Sequence, residues 1–151
     1  MLETRYDIRV DWGHCDPAQI VYNPNFVVWM EHGVNVLFEA AGHALSDLIR
    51  ADPNRRGLPL VKSEASFMAP ARFGEVLVLS SRVTRFGRTS FDIGHRFTRG
   101  DTVIAEGKQI RVWSVADPDD PDAIRAEPLP AEIRAGLEED RIVTVRTFWQ
   151  G

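Results

Sequence analysis

Residues 25–41 read NFVVWMEHGVNVLFEAA and predict a long helix with little polar surface. Its apolar side chains recur at helical spacing at Phe26, Met30, Val34, Leu37 and Ala41. Further apolar residues occupy most of the remaining circumference, and a helix of this kind lies in a protein core rather than at a surface. We expect Asn25, which follows a proline, to cap the start of the helix and Gly42 to end it.

Strand-like segments flank this helix. An alternating stretch over residues 3–11 precedes it, and runs with the periodicity of strands follow it. The runs are Leu60–Met68, Val76–Phe86, Thr89–Thr98 and Thr102–Val115. The connections between them are short, which predicts antiparallel neighbours. Smaller elements complete the prediction, with helices at residues 44–50 and Pro130–Glu139 and a final strand or tail over residues 142–149.

The predicted architecture is one α+β domain spanning residues 1–151, in which an antiparallel sheet wraps around the long helix. The chain length suits a single domain, and no repeat or linker interrupts the sequence. A single sheet covers only one side of an apolar helix. We therefore expect a second copy of the chain to bury the remaining apolar surface in an obligate dimer.

Composition favours a cytoplasmic protein that binds neither nucleic acid nor membrane. The net charge is −4, whereas a nucleic-acid footprint is basic. Cys15 is the lone cysteine, which rules out an intrachain disulfide and fits a reducing compartment. The first residues lack the apolar segment of a signal peptide, and no apolar run approaches the roughly 20 residues that span a bilayer.

The loop before the helix carries the residues of chemical interest. Residues 12–26 read WGHCDPAQIVYNPNF, and the glycine and prolines predict an irregular path. The neighbouring side chains of His14 and Cys15 point apart in an extended chain, which argues against a Cys-His nucleophile. His14, Cys15 and Asp16 are adjacent in the chain and lack the spacing of zinc ligands, so we expect no metal site.

Residues 12–26 resemble the signature of the 4-hydroxybenzoyl-CoA thioesterase family, in which the catalytic aspartate stands directly before a proline, as Asp16 does here. Weaker matches follow at residues 57–67 (GLPLVKSEASF) and 88–91 (RTSF), so that the resemblance spans residues 5–115. It implies the hotdog fold, in which a sheet wraps around a long central helix. It also implies hydrolysis of an acyl-CoA to free acid and coenzyme A without a metal or redox cofactor. The site would use both subunits of a homodimer, and two dimers would form a homotetramer.

The resemblance assigns roles to residues around the helix start. Asp16 acts as nucleophile or general base toward the thioester. The N–H of Asn23 polarises the carbonyl, because backbone donors at a helix start are unpaired and lie in positive potential. Tyr22 and Phe26 line the acyl site. An isolated Asp-Pro pair more often only begins a turn, so the catalytic interpretation depends on the surrounding motif.

Five arginines fall between residues 82 and 99, which allows a local anion site on an acidic protein. Arg88 matches the phosphate-contacting turn of the family, and Arg85 lies three residues earlier. The planar guanidinium donates two parallel hydrogen bonds, which suits the phosphates of CoA. The competing interpretation is a solvated strand edge, where arginines commonly discourage aggregation.

Departures from the family pattern leave the acyl group open. Gln19 stands where glycine is common, Asn23 where tyrosine or histidine is frequent, and Leu58 where a polar residue can lie near the acyl group. Aromatic, short aliphatic and branched acids therefore all remain candidates.

Two other functions and one other catalytic residue are alternatives to hydrolysis by Asp16. A non-catalytic acyl-CoA-binding module on the same fold would bind without turnover. A hydratase is disfavoured, because the pairing of a histidine with an acid in a loop motif is absent. Glu31 on the polar stripe of the helix is the alternative base, although such carboxylates are more often paired structural acids.

Overall fold

The structure, a computed structural model, describes residues 1–146 as a seven-stranded sheet packed on one long helix. The helices are α1 (Pro24–Ala40), α2 (Leu45–Ala51) and α3 (Ala131–Glu138), and a 3-10 turn covers Trp12–His14. The strands are β1 (Glu3–Arg9), β2 (Leu60–Phe67), β3 (Val76–Phe86), β4 (Ser90–Arg99), β5 (Thr102–Ala116), β6 (Ile124–Glu127) and β7 (Ile142–Arg146). The predicted final strand or tail is partly confirmed by β7, and its residues 147–149 lie outside the described residues.

The strands lie in the order β2-β5-β4-β3-β1-β7, and β6 pairs with β5. Neighbouring strands are antiparallel except β1 and β7, which run parallel. This topology confirms the predicted α+β hotdog fold. The predicted antiparallel neighbours are confirmed for β3, β4 and β5, but the prediction is wrong for β2, which pairs with β5 instead of β3. A hairpin needs a tight turn, whereas residues 68–75 form a longer connection that separates the two strands.

The start of α1 differs from the prediction. Pro24 is the first helical residue and Asn23 occupies the capping position without a side-chain hydrogen bond, so the predicted cap at Asn25 is wrong. Proline suits the first helical position because its fixed φ is helical and its missing N–H is not needed there. Gly42 has a φ of 87° and follows the helix as predicted, since glycine adopts this left-handed conformation without strain.

The helix is covered on one side only. Its inner face packs on β1, β3 and β4, and Gly33 allows a close approach because a Cβ there would lie 2.6 Å from Ser81 Oγ. On the outer face Val28 is 52% exposed, and every residue of β2 is exposed as well. The sheet of one chain therefore leaves apolar surface on α1 uncovered.

Candidate active site

The loop that carries Asp16 is closed by a small turn. Cys15 and Val21 form an isolated antiparallel bridge, and within it the N–H of Gln19 donates to the carbonyl oxygen of Asp16 at 2.8 Å. The Oδ1 of Asp16 accepts the N–H of Ala18 at 2.9 Å. Within residues 1–146 the second oxygen, Oδ2, accepts no hydrogen bond. Asp16 therefore stabilises the turn with one carboxylate oxygen and keeps the other available for chemistry.

Asp16 lines an open cavity of about 590 Å³. Two aromatic side chains border this cavity, although both are largely exposed: Trp12 is 77% exposed and Phe73 is 56% exposed. Their rings meet edge to face, with centroids 5.7 Å apart. Gln19 and Arg72 supply polar groups to the same cavity. The sequence predictions do not include Phe73 or Arg72, because only the fold brings the chain after β2 beside the Asp16 loop.

Asn23 lies at the start of α1 and borders a different, smaller cavity of about 260 Å³. The Asn23 N–H donates no hydrogen bond among the described residues. The side chains of Phe26, Phe67 and Met68 make the smaller cavity mostly apolar. The side chain of Tyr22, by contrast, is exposed and lines neither cavity of this chain.

The Asp16 loop contributes residues to both cavities. Gln19 borders the larger cavity and the next residue, Ile20, borders the smaller one. Asp16 and Asn23 are thus brought to the same end of the fold, but within a single chain they face different cavities.

Arg85 and Arg88 lie far from this loop. Arg85 lies near the end of β3 and Arg88 lies just after it, where Val83 packs with the C-terminal half of α1. The Asp16 loop adjoins the N-terminal end of that helix. Seventeen helical residues at about 1.5 Å each separate the two ends of α1 by roughly 25 Å. Arg88 is exposed and forms no ion pair within the described part of the chain.

Arg85 is already engaged on the sheet surface. Its Nη2 lies 2.9 Å from Asp92 Oδ1, and Lys108 Nζ lies 3.0 Å from the other oxygen. Burial by itself raises the pKa of Asp92, but the hydrogen bonds from Arg85 and Lys108 outweigh it and lower the pKa. Arg85 is therefore already paired with Asp92, and Arg88 is the better candidate for contacting the phosphates of CoA.

Glu31 is a paired acid in the structure. Arg111, whose side chain is only 6% exposed, forms an ion pair with it, and Gln109 Nε2 donates to Glu31 Oε1 at 3.3 Å. Arg111 Nη1 also donates to the Leu58 carbonyl oxygen at 2.9 Å. This geometry favours the structural interpretation of Glu31 over the role of alternative base. The burial of Gln109 and Arg111 could have been predicted from the sequence. Together with Trp113 they occupy alternate positions of β5, which point to the same, inward face of the strand.

His95 lies in the core beneath α1 and away from both cavities beside the Asp16 loop. Its Nδ1 is 2.8 Å from Ser81 Oγ. Burial lowers the pKa of His95 to about 4, so the imidazole is neutral at neutral pH. Within residues 1–146 no cluster of three histidine, cysteine or acidic side chains could hold a metal ion. None of the helices described is long and apolar enough to cross a membrane.

Known proteins share both the sequence pattern and the fold. Residues 10–137 match the thioesterase-like superfamily. The 4-hydroxybenzoyl-CoA thioesterase of Pseudomonas sp. (strain CBS-3) is 29% identical over 129 residues, which cover 82% of this chain and 89% of that protein. The solved structure of the 4-hydroxybenzoyl-CoA thioesterase from that strain has a TM-score of 0.79 at 26% identity, covering 89% of this chain and 98% of the other. A solved gentisyl-coenzyme A thioesterase has a TM-score of 0.75 at 28% identity, covering 88% and 98%. The chain therefore belongs to the thioesterase-like superfamily and is a thioester hydrolase.

Proposed function

We propose that this chain hydrolyses an acyl-CoA to the free acid and coenzyme A, with Asp16 as the working carboxylate. The observation that carries the proposal is the free Oδ2 of Asp16 in a cavity beside the start of α1. The relatives are named for 4-hydroxybenzoyl-CoA and gentisyl-CoA, which supports a CoA thioester and makes aromatic acyl groups the first to test.

The chemistry needs only groups that the chain supplies. The Oδ2 of Asp16 either attacks the thioester carbonyl carbon, which yields a mixed anhydride, or removes a proton from the water that attacks it. The Asn23 N–H donates to the oxygen on which negative charge develops, and the positive end of the α1 dipole adds to this stabilisation. The carbon–sulfur bond then breaks and the CoA thiolate leaves. On the first route this departure gives the mixed anhydride, which water opens to the free acid and the restored Asp16 carboxylate. On the second route it gives the free acid directly. Neither route requires a metal or a redox cofactor.

A second copy of the chain completes the site. The smaller cavity, with Phe26 on its wall, receives the acyl group, and the exposed Tyr22 covers it from the outside once a partner is present. The uncovered face of α1 and the free edge of β2 form the contact between the copies. A tetramer of two such dimers is the further expectation.

The same dimer explains the distance between Asp16 and Arg88. Two β2 strands related by a twofold axis pair antiparallel, so the partner chain runs in the reverse direction. The far end of the partner, which carries its copy of Arg88, then lies at the Asp16 end of the first chain. One CoA can thereby place its thioester at Asp16 and its phosphates at Arg88 of the second copy.

Thiol release from a panel of aromatic and aliphatic acyl-CoAs tests the reaction and names the acyl class. Turnover of any member supports hydrolysis, whereas tight binding of every member without thiol release favours the non-catalytic module. A single turnover in isotopically labelled water separates the two roles of Asp16. Direct attack by water places the label in the acid product, whereas an anhydride opened at the Asp16 carbonyl carbon places it in Asp16.

Val28→Lys should convert the proposed dimer into monomers, because a lysine on the uncovered face of α1 places a charge in the contact between the copies. Turnover should fall as well, because the site is completed by the second copy. Sedimentation velocity and thiol release measure the two effects. Ile49→Lys is the matched control, since Ile49 is also an exposed aliphatic residue, at 49%, but lies on α2. A wild-type protein that is monomeric and fully active would contradict the shared site.

Arg88→Ala should raise KM for an acyl-CoA by about tenfold, as expected for the loss of charge-assisted hydrogen bonds to phosphate. The same acyl group on pantetheine, which lacks the nucleotide phosphates, should show no change. Arg50→Ala on the exposed surface of α2 is the control. An equal loss with the pantetheine thioester would place Arg88 elsewhere than at the phosphates.

A further inference from the structure

We propose that His14 is a positioning residue, which holds the start of α1, and with it the Asn23 N–H, in place against Asp16. The proposal rests on the roles proposed for Asp16 and Asn23 in hydrolysis. His14 borders neither cavity beside the Asp16 loop, so it acts through its neighbours and does not touch the substrate. Its contacts run both to the loop and to the helix.

The carbonyl oxygen of His14 joins the loop to the helix start. It accepts the N–H of Tyr22 at 2.9 Å and the side-chain Nδ2 of Asn25 at 2.8 Å. Tyr22 directly precedes Asn23, and Asn25 follows it by two positions. His14 itself lies two residues before Asp16. A single oxygen therefore links the neighbours of the proposed oxyanion donor to a neighbour of the proposed working carboxylate.

The imidazole of His14 is held on two sides. Its Nδ1 accepts the backbone N–H of Asp11 at 2.8 Å across the 3-10 turn, a contact that needs no particular side chain at residue 11. Its ring meets the ring of Trp29 on α1 edge to face, with centroids 5.0 Å apart and an interplanar angle of 80°. Trp29 is only 6% exposed and also packs on Phe26. Because both contacts restrain the residue, its carbonyl oxygen keeps one direction toward the helix start.

Histidine combines two properties that its nearest substitutes have only singly. An imidazole offers both a hydrogen-bond acceptor and a flat aromatic ring. Asparagine offers an acceptor without the ring, whereas phenylalanine offers the ring without the acceptor. The two contacts of the His14 side chain can therefore be removed one at a time, and the loss of both together should have the largest effect.

The proposed reaction is sensitive to this arrangement, because Asp16 and Asn23 have to act on the same carbonyl group. A misplacement of about 1 Å can cost roughly 10²-fold in rate, even when the change lies away from the reacting groups. Binding of the acyl group and of the CoA phosphates depends on other residues. Loss of the His14 side chain should therefore appear in kcat and leave KM nearly unchanged.

Substitutions of His14 test this assignment with an acyl-CoA that the wild type hydrolyses. His14→Ala should lower kcat by at least about tenfold, within the range that misplacement of a reacting group covers. His14→Asn and His14→Phe each keep one contact and should retain more activity than His14→Ala. His43→Ala, at the other end of α1, is the matched control and should leave kcat unchanged. Ile133→Val removes a buried methyl group on α3, which should lower Tm without lowering kcat.

Amide hydrogen exchange supplies a second measurement that needs no turnover. In His14→Ala the Tyr22 N–H should exchange about fivefold faster, the factor that corresponds to the net strength of one hydrogen bond. His43→Ala should leave that rate unchanged. If the wild type hydrolyses no thioester, the proposed reaction fails, and the exchange rate of the Tyr22 N–H still decides whether His14 holds the helix start.

Three results would overturn the assignment in distinguishable ways. A kcat that survives His14→Ala would remove His14 from the site and leave the proposed hydrolysis intact. A rise in KM with kcat unchanged would make His14 a substrate contact instead of a positioning residue. An unchanged exchange rate of the Tyr22 N–H in His14→Ala would show that the helix start is held without the imidazole.

Discussion

Asp16→Asn is expected to lower kcat for acyl-CoA hydrolysis by at least about 10²-fold, the effect of losing a positioned acid–base or nucleophilic group. The substitution is nearly isosteric, and the amide oxygen can still accept the Ala18 N–H that Oδ1 accepts now. The turn should therefore persist while the reactive charge disappears. Thiol release under saturating substrate measures kcat, and KM should change little because the acyl and CoA contacts remain.

Comparison variants separate this effect from a general disturbance of the loop. Asp11→Asn removes a neighbouring acid that borders neither cavity and should leave turnover unchanged. Glu31→Gln tests the alternative base and should cost much less than Asp16→Asn, since Glu31 is occupied by Arg111. Turnover that survives Asp16→Asn but is lost in Glu31→Gln would transfer the catalytic role to the helix.

Acid should destabilise the folded protein by about 3 kcal/mol through His95 alone. The folded-state pKa of about 4 lies below the ordinary value of 6.5, chiefly because burial disfavours the imidazolium, although Gln109 opposes the shift and Arg111 reinforces it. At pH values between these two, the unfolded state binds a proton that the folded state does not. The stability present above pH 6.5 is therefore lost progressively as the pH falls toward 4.

Urea unfolding at several pH values in this window measures the loss. His95→Asn keeps a side chain that can pair with Ser81 but cannot titrate, so the dependence of the unfolding free energy on pH should flatten. The variant should also be less stable at neutral pH, because asparagine fills less of the core than histidine. His43→Asn, at a partly exposed position after the end of α1, is the matched control. An unchanged slope in His95→Asn would assign the acid sensitivity to other groups.

Local patterns in the sequence predict the elements well. The long helix follows from apolar periodicity over residues 25–41, and β4 follows from alternation that places Phe91 and His95 on the buried face. The error at the helix start has a local cause too, because Pro24 was assigned to the loop although proline suits the first helical position.

Strand pairing is harder to predict, because it joins segments that are distant in the chain. The pairings of β2 with β5 and of β7 with β1 depend on which edge is free once the hairpins have formed. No turn motif in the sequence indicates either of these two pairings. The pairing of Glu31 with Arg111 has the same origin, since the helix and β5 meet only in the folded chain.

The sequence predicts the Asp16 loop of the candidate site but does not predict the residues that the fold brings beside it. Asp16 and Asn23 belong to one continuous motif, so the sequence places them at the helix start. Phe73 lines the same cavity as Asp16 and contacts Trp12, and only the fold brings the chain after β2 beside the Asp16 loop. Arg88 presents the reverse case, because its motif is recognisable while the fold places it at the far end of its own chain.

The two edges of the sheet differ in length and in character. β2 offers eight residues with exposed apolar side chains such as Val61 and Phe67, whereas β7 ends the opposite edge with five residues. The proposed pairing of two chains through β2 would occupy the long edge of both at once and leave the β7 edges outside. In the proposed dimer, growth by strand addition would stop at two chains, which would prevent the open-ended fibres that two long free edges permit.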